Sequence, residues 1–217
     1  MNQKLTIAKS LFLLAALFST GLSLSACSIF PSESRQPDYY LLLPIQSEKS
    51  AQLYNKKPAF PGGSKTILLG PVEIPAYLDR SEIVMRDGNN SLVISSFHRW
   101  AEPLDRAIER VLATNLTNLS NGRFTCYPFS MKMAVAGQKP DIRLTVNVLE
   151  FEKVGNTCRL NAEYFLTNTH NSKILHKKVA LISRVQGSTV SHAVRCQNRL
   201  LNEFSYILLK EIKNWPE

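Results

Sequence analysis

The chain has 217 residues, of which 44% are hydrophobic, and its 26 Lys and Arg against 17 Asp and Glu give a formal net charge of +9. That length suits one domain, since domains of about 150 residues bury roughly 70% of the surface their unfolded chains expose, and no internal repeat divides it. The composition brings no Gly-x-Ser-x-Gly elbow, no His-Glu-x-x-His and no Cys-x-x-Cys, and His98, His170, His176 and His192 have no metal-ligand spacing. We therefore expect no catalytic residues, no metal and no cofactor.

At the start, Lys4 and Lys9 precede the apolar run LFLLAALF at residues 11 to 18, which fades into small and polar residues before Cys27. This is the layout of a secretory signal. A membrane-spanning helix needs about 20 apolar residues, and Ser19, Thr20, Gly21 and Ser23 break the run well short of that. Leu24-Ser25-Ala26-Cys27 resembles the lipobox of bacterial lipoproteins, in which the cysteine thiol takes a diacylglyceryl group. The plainer alternative is an ordinary cleavage site followed by an accidental cysteine. By the same resemblance, Ser28 in place of Asp after the cysteine implies sorting to the outer membrane.

Removing residues 1 to 26, which carry two lysines and no acid, lowers the charge to +7. An exported basic protein rarely meets nucleic acid, so the charge either faces anionic headgroups or an acidic partner, or is scattered over a solvated surface. SIFPSESRQP at residues 28 to 37, with two prolines, reads as a tether. The expected division is thus a signal at 1–26, a lipidated tether at 27–37 and a single domain at 38–217.

DYYLLLP at 38 to 44 predicts a strand, and residues 47 to 65 a long polar loop. GGSKT within that loop lacks the spacing of a nucleotide loop. TILLGPVEI predicts a strand and PAYLDR a turn, while SEIVMR and SLVISS flank Asp87-Gly88-Asn89-Asn90 as a hairpin. Leu104, Ile108, Val111, Leu112, Leu116 and Leu119 recur at helical spacing, with Pro103 at the start and Asn121-Gly122 as the stop. RFTCYPF follows as a strand and MKMAVAGQKP as a connection.

Ile142, Leu144, Val146 and Val148 then alternate with polar residues, and Cys158, Leu160, Ala162, Tyr164 and Leu166 repeat the pattern beyond Gly155-Asn156. This predicts a long hairpin with one buried face. A third strand spans 174 to 186, and a helix from about Thr189 to Asn214 carries Ala193, Val194, Leu200, Leu201, Phe204, Leu208 and Ile212 on one stripe. Two amphipathic helices on one face of a mostly antiparallel sheet make a two-layer α+β fold. His176, Lys177 and Lys178 form a basic cluster, but neighbours on a strand point to opposite faces, which weakens it as a lipid-headgroup patch.

YYLLLP, LLGPVEIPAYLDRSEIVMR at 68 to 86 and RWAEPLDRAIERVLATNL at 99 to 116, in that order behind a lipobox, resemble the ABC-type transport auxiliary lipoproteins similar to PqiC. The resemblance implies a periplasm-facing, outer-membrane-anchored lipoprotein without enzymatic activity. Its implied partner is an MCE-domain (PqiB-like) protein that forms a hydrophobic lipid conduit, and a homo-oligomer matching a ring-shaped partner fits the same picture.

Tyr77, Leu78, Asp79, Arg80, Arg99, Trp100 and Glu102 become candidates for docking. Each has a structural alternative: a corner for residues 77 to 80, an ion pair between Arg99 and Glu102 at a helix start, and core burial for Trp100. Cys126, Cys158 and Cys196 remain once Cys27 is lipidated, and their odd number allows at most one internal bridge. A free-standing lipid-binding lipoprotein and a purely structural envelope lipoprotein are the competing readings.

Overall fold

A computed structural model describes residues 35–45, 65–88, 90–131 and 139–215. The chain divides into Met1–Gln36 and Pro37–Glu217. In the second unit the strands are β1 (Asp38–Tyr40), β2 (Lys65–Glu73), β3 (Glu82–Asp87), β4 (Ser91–Trp100), β5 (Phe124–Pro128), β6 (Ile142–Val154), β7 (Thr157–Asn168) and β8 (Ile174–Arg184). Helix α1 (Leu104–Leu119) stands between β4 and β5, and α2 (Val190–Lys213) follows β8.

The sheet is built around β6, because its thirteen residues are long enough to serve two neighbours on one edge. β2 pairs parallel with Ile142 to Asn147, and β3 pairs parallel with Lys153 and Val154, so the two strands lie end to end along the same edge. From there the sheet forks. β5 extends it beside β2, whereas β4 and then β1 extend it beside β3. β7 and β8 complete the other side of β6 in long antiparallel ladders. The result is an eight-stranded mixed sheet, mostly antiparallel by paired residues, with both helices on one face.

Alternation fixes the face the helices cover. Ile142, Leu144, Val146 and Val148 on β6 and Cys158, Leu160, Ala162, Tyr164 and Leu166 on β7 are all buried. At Leu149 the register shifts, so that Val148 pairs with Ala162 but Glu150 with Asn161. One extra residue reverses the phase. Phe151 thereby joins the core, and Glu150 and Glu152 turn to the face away from the helices.

Helix α1 starts where Pro103 holds an extended ψ of 134° and ends where Asn121 and Gly122 take φ of 53° and 82°. A left-handed pair ends a right-handed helix. Asn115 on α1, fully buried, donates to Asn202 Oδ1 at 3.0 Å and Ser205 Oγ at 2.9 Å on α2, knotting the helices together.

The strand expected over residues 38 to 44 is shorter than its apolar run. Only Asp38–Tyr40 pairs with β4; beyond it the chain crosses the helices, where Leu43 N donates to Asn198 Oδ1 and Ile45 N to Asn115 Oδ1, each at 2.8 Å. Leu42 is buried and Leu41 and Leu43 face solvent. Most of the loop expected at 47 to 65 and most of the connection after β5 lie outside the described residues. No described helix is long and apolar enough to cross a membrane.

Candidate docking surface

The PAYLDR segment links β2 to β3, which run in the same direction along one edge of β6, so it must step out of line and rejoin that edge without reversing the chain. It does so in a tight turn, with Leu78 N bonded to Pro75 O at 2.9 Å and Asp79 N to Ala76 O at 3.3 Å. Leu78, only 2% exposed, fills the core beneath it. Tyr77 reaches the polar face of the sheet and donates its hydroxyl to Glu152 Oε2 at 2.9 Å.

Glu152 is fully buried and also accepts from Phe151 N at 3.0 Å and from Arg86 on β3. Arg86 in turn holds Glu150 at 3.3 Å, and Glu150 accepts from Asn161. Burial and the Glu152 carboxylate together push the Tyr77 phenol well above its ordinary value, so it stays a donor. The turn is thus clamped from below, which leaves Asp79 and Arg80 as its exposed tip.

Arg99, Trp100 and Glu102 go to different places. Trp100 ends β4, is 5% exposed and belongs to the core; its amide donates to Ser81 O at 2.7 Å, tying the end of β4 to the turn. The expected Arg99–Glu102 pair is absent. Arg99 faces Glu82 across the ladder at 3.7 Å, and Glu102 pairs with Arg110, which also donates to Leu42 O at 2.9 Å. The reason is geometric: Arg99 still belongs to a strand, so its neighbour is set by cross-strand register and not by sequence proximity.

The apolar exposure around this corner carried no periodic signal. Tyr39, Leu41 and Leu43 project from the first segment, while Leu92, Val93, Ile94 and Phe97 lie exposed along β4, of which β1 pairs only His98 to Trp100. The basic cluster, by contrast, is split between two faces as its alternation predicts, and its side chains meet carboxylates there. His176 stacks on Phe165 and meets Glu163, which also holds Lys178 at 2.6 Å; Lys177 points to the other face and meets Glu211 of α2 at 2.8 Å. It does not offer a free cationic patch to headgroups.

Among the described residues no group of three or more His, Cys, Asp or Glu is arranged to hold a metal ion. Leu24, Ser25, Ala26 and Cys27 lie outside the described residues. The described residues thus present a charged tip on a hydrogen-bonded turn and exposed apolar side chains along β1 and β4.

The family model for the ABC-type transport auxiliary lipoprotein component matches residues 40–206, most of the chain. The chain belongs to that family. As an auxiliary lipoprotein of ABC-type transport systems it is anchored to a membrane, in a family not known as enzymatic. No curated protein matches the sequence.

Solved structures share the fold. One, of an uncharacterised protein, is 17% identical, with 82% of this chain and 99% of that one aligned at a TM-score of 0.65. Another, XCC0632 from Xanthomonas campestris, a member of the DUF330 family, is 13% identical over 80% of this chain and 94% of its own, at a TM-score of 0.61. The overall fold is therefore shared with solved structures at low sequence identity.

Proposed function

We propose that this auxiliary lipoprotein is acylated at Cys27, stands in the outer membrane facing the periplasm, and docks the outer end of an MCE-type lipid conduit. Residues 1–26 are then a signal, 27–37 a tether and 38–217 the docking domain. The observation that carries the reading is a family match over 40–206 standing behind Leu24-Ser25-Ala26-Cys27-Ser28.

Acyl chains enter water at a cost of about 0.8 kcal/mol per methylene, so a sheltered path must end at a membrane and be held there. Holding needs a stable anchor, which two or more acyl chains supply and one does not. It needs no reaction, in keeping with a surface built for contact. The partner side in this reading is the exposed tip Asp79 and Arg80 together with exposed Tyr39, which pairs with Arg99 beside the start of β3, and several copies around a ring-shaped conduit suit it.

Cys27→Ala should move the protein from the membrane fraction to the soluble one; retention in the membrane would refute acylation. At the docking corner, Asp79→Arg with Arg80→Asp should leave the melting temperature within about 2 °C, since both side chains are exposed. The same exchange should weaken recovery of the MCE-domain partner from crosslinked envelopes at least roughly tenfold, about 1.4 kcal/mol. Undiminished recovery would move the contact elsewhere, and a stoichiometric lipid with no partner would favour a free-standing lipid carrier.

A further inference from the structure

Two buried thiols face each other where α2 begins. Cys158, the second residue of β7, brings its Sγ to within 3.5 Å of Ala193 O in the first turn of α2. Cys196, one helical turn after Ala193, brings its own Sγ to within 3.5 Å of Ser183 O and Arg184 O at the end of β8. Ser183 is the residue that Cys158 faces across the β7–β8 ladder. Each sulfur therefore rests on backbone adjoining the other, and the two thiols are within hydrogen-bonding reach. Cys126 sits on β5, whose strand partner is β2 at the far arm of the fork, with its amide held by Thr117 Oγ1.

We propose that Cys158 and Cys196 form a disulfide in the exported protein, stapling the first turns of α2 to the β7–β8 ladder. The step joins two thiols in one S–S bond with loss of two protons and two electrons. The electrons pass by thiol–disulfide exchange to the disulfide of an exported thiol oxidoreductase, which leaves as a dithiol. A membrane-anchored lipoprotein lies outside the cytosol, where such bonds persist.

Both cysteines are essentially without solvent exposure in the folded chain. Oxidation therefore precedes the docking of α2, while a thiolate can still reach and attack the disulfide of the oxidoreductase. Once the helix is down, burial holds the Cys158 thiol far above its ordinary value and closes the site to exchange. The bond closes a loop of about 38 residues, long enough to restrict the unfolded chain appreciably. Cys126 is left reduced, with burial raising its thiol as well.

The test is differential alkylation of the full-length lipoprotein, extracted from membranes in detergent and denatured without reductant in the presence of a thiol-blocking reagent. We expect Cys126 to be blocked and a linked peptide pair carrying Cys158 and Cys196, two hydrogens lighter than the two thiol peptides together and released by reduction. Recovery of Cys158 and Cys196 as blocked thiols, or of either joined to Cys126, would overturn the assignment. In melts, Cys158→Ala and Cys196→Ala should each lower the midpoint by roughly 5–10 °C, with the double variant scarcely lower. Fully additive losses would argue for two independent packing sites.

Discussion

Arg86→Ala is expected to destabilise the domain by about 3 kcal/mol, lowering the thermal midpoint by roughly 6–12 °C in a protein of this size. The physical cause is the carboxylate it leaves behind. Glu152 has no solvent access and would keep only the Tyr77 hydroxyl and the Phe151 amide as donors, with no compensating charge. The loss is placed at the lower end of the range for breaking a buried pair because the Arg86 side chain keeps 22% of its exposure and is already partly hydrated.

Tyr77→Phe removes one neutral donor and should cost about 1–2 kcal/mol. Arg86→Ala with Glu152→Leu should recover much of the single variant's loss, since an apolar residue on that face needs no partner. Equal destabilisation by the single and double variants would sink the argument. Because the same network clamps the turn that presents Asp79 and Arg80, Tyr77→Phe should also loosen that tip, seen as faster amide exchange at residues 78 to 80.

Period-based features were legible in the sequence; features depending on distant partners were not. The stripes of α1 and α2 and the alternation of β6 and β7 appear in the residues because each face meets one continuous core. The reversal at Leu149 has no local signature, so nothing in the residues after Val148 tells that Phe151 joins the core or that Glu152 is buried. The apolar run Leu41-Leu42-Leu43 reads as a continuing strand, yet its hydrogen-bond partners are side chains of Asn115 and Asn198, far along the chain.

Two strands sharing one edge of β6 is likewise a non-local outcome. Of the docking candidates, Leu78 and Trp100 are core side chains, and Tyr77 and Glu102 are tied into internal pairs. The family segments hold the fold's structural corner as well as any contact surface, and sequence alone does not separate the two. Asp79 and Arg80 stand out only once the turn's orientation is known. The Cys158–Cys196 pair needed the same knowledge, because three thiols offered no choice until β5 was seen on the opposite arm of the sheet.

Gly70→Ala should cost at least as much as the loss of Arg86. Gly70 lies in the middle of β2 with φ at +112°, a conformation that costs an L side chain at least about 1–2 kcal/mol. Its added Cβ would stand 2.8 Å from Phe129 Cβ and 2.9 Å from Glu109 Oε1, closer than such atoms approach. Glu109 cannot simply withdraw: buried on the inner face of α1, it accepts from the Phe129 and Ser130 amides and pairs with Arg106 at 3.2 Å.

Displacing that carboxylate leaves buried donors unmet, at about 1–3 kcal/mol more. A total near 3–4 kcal/mol should appear as a lower urea midpoint with an unchanged slope. Gly88→Ala isolates the backbone contribution, since its φ is +68° and nothing lies within 4 Å of the added carbon. It should cost only the conformational share, about 1–2 kcal/mol. Equal losses at the two glycines would mean that the close approach of α1 to β2 contributes nothing.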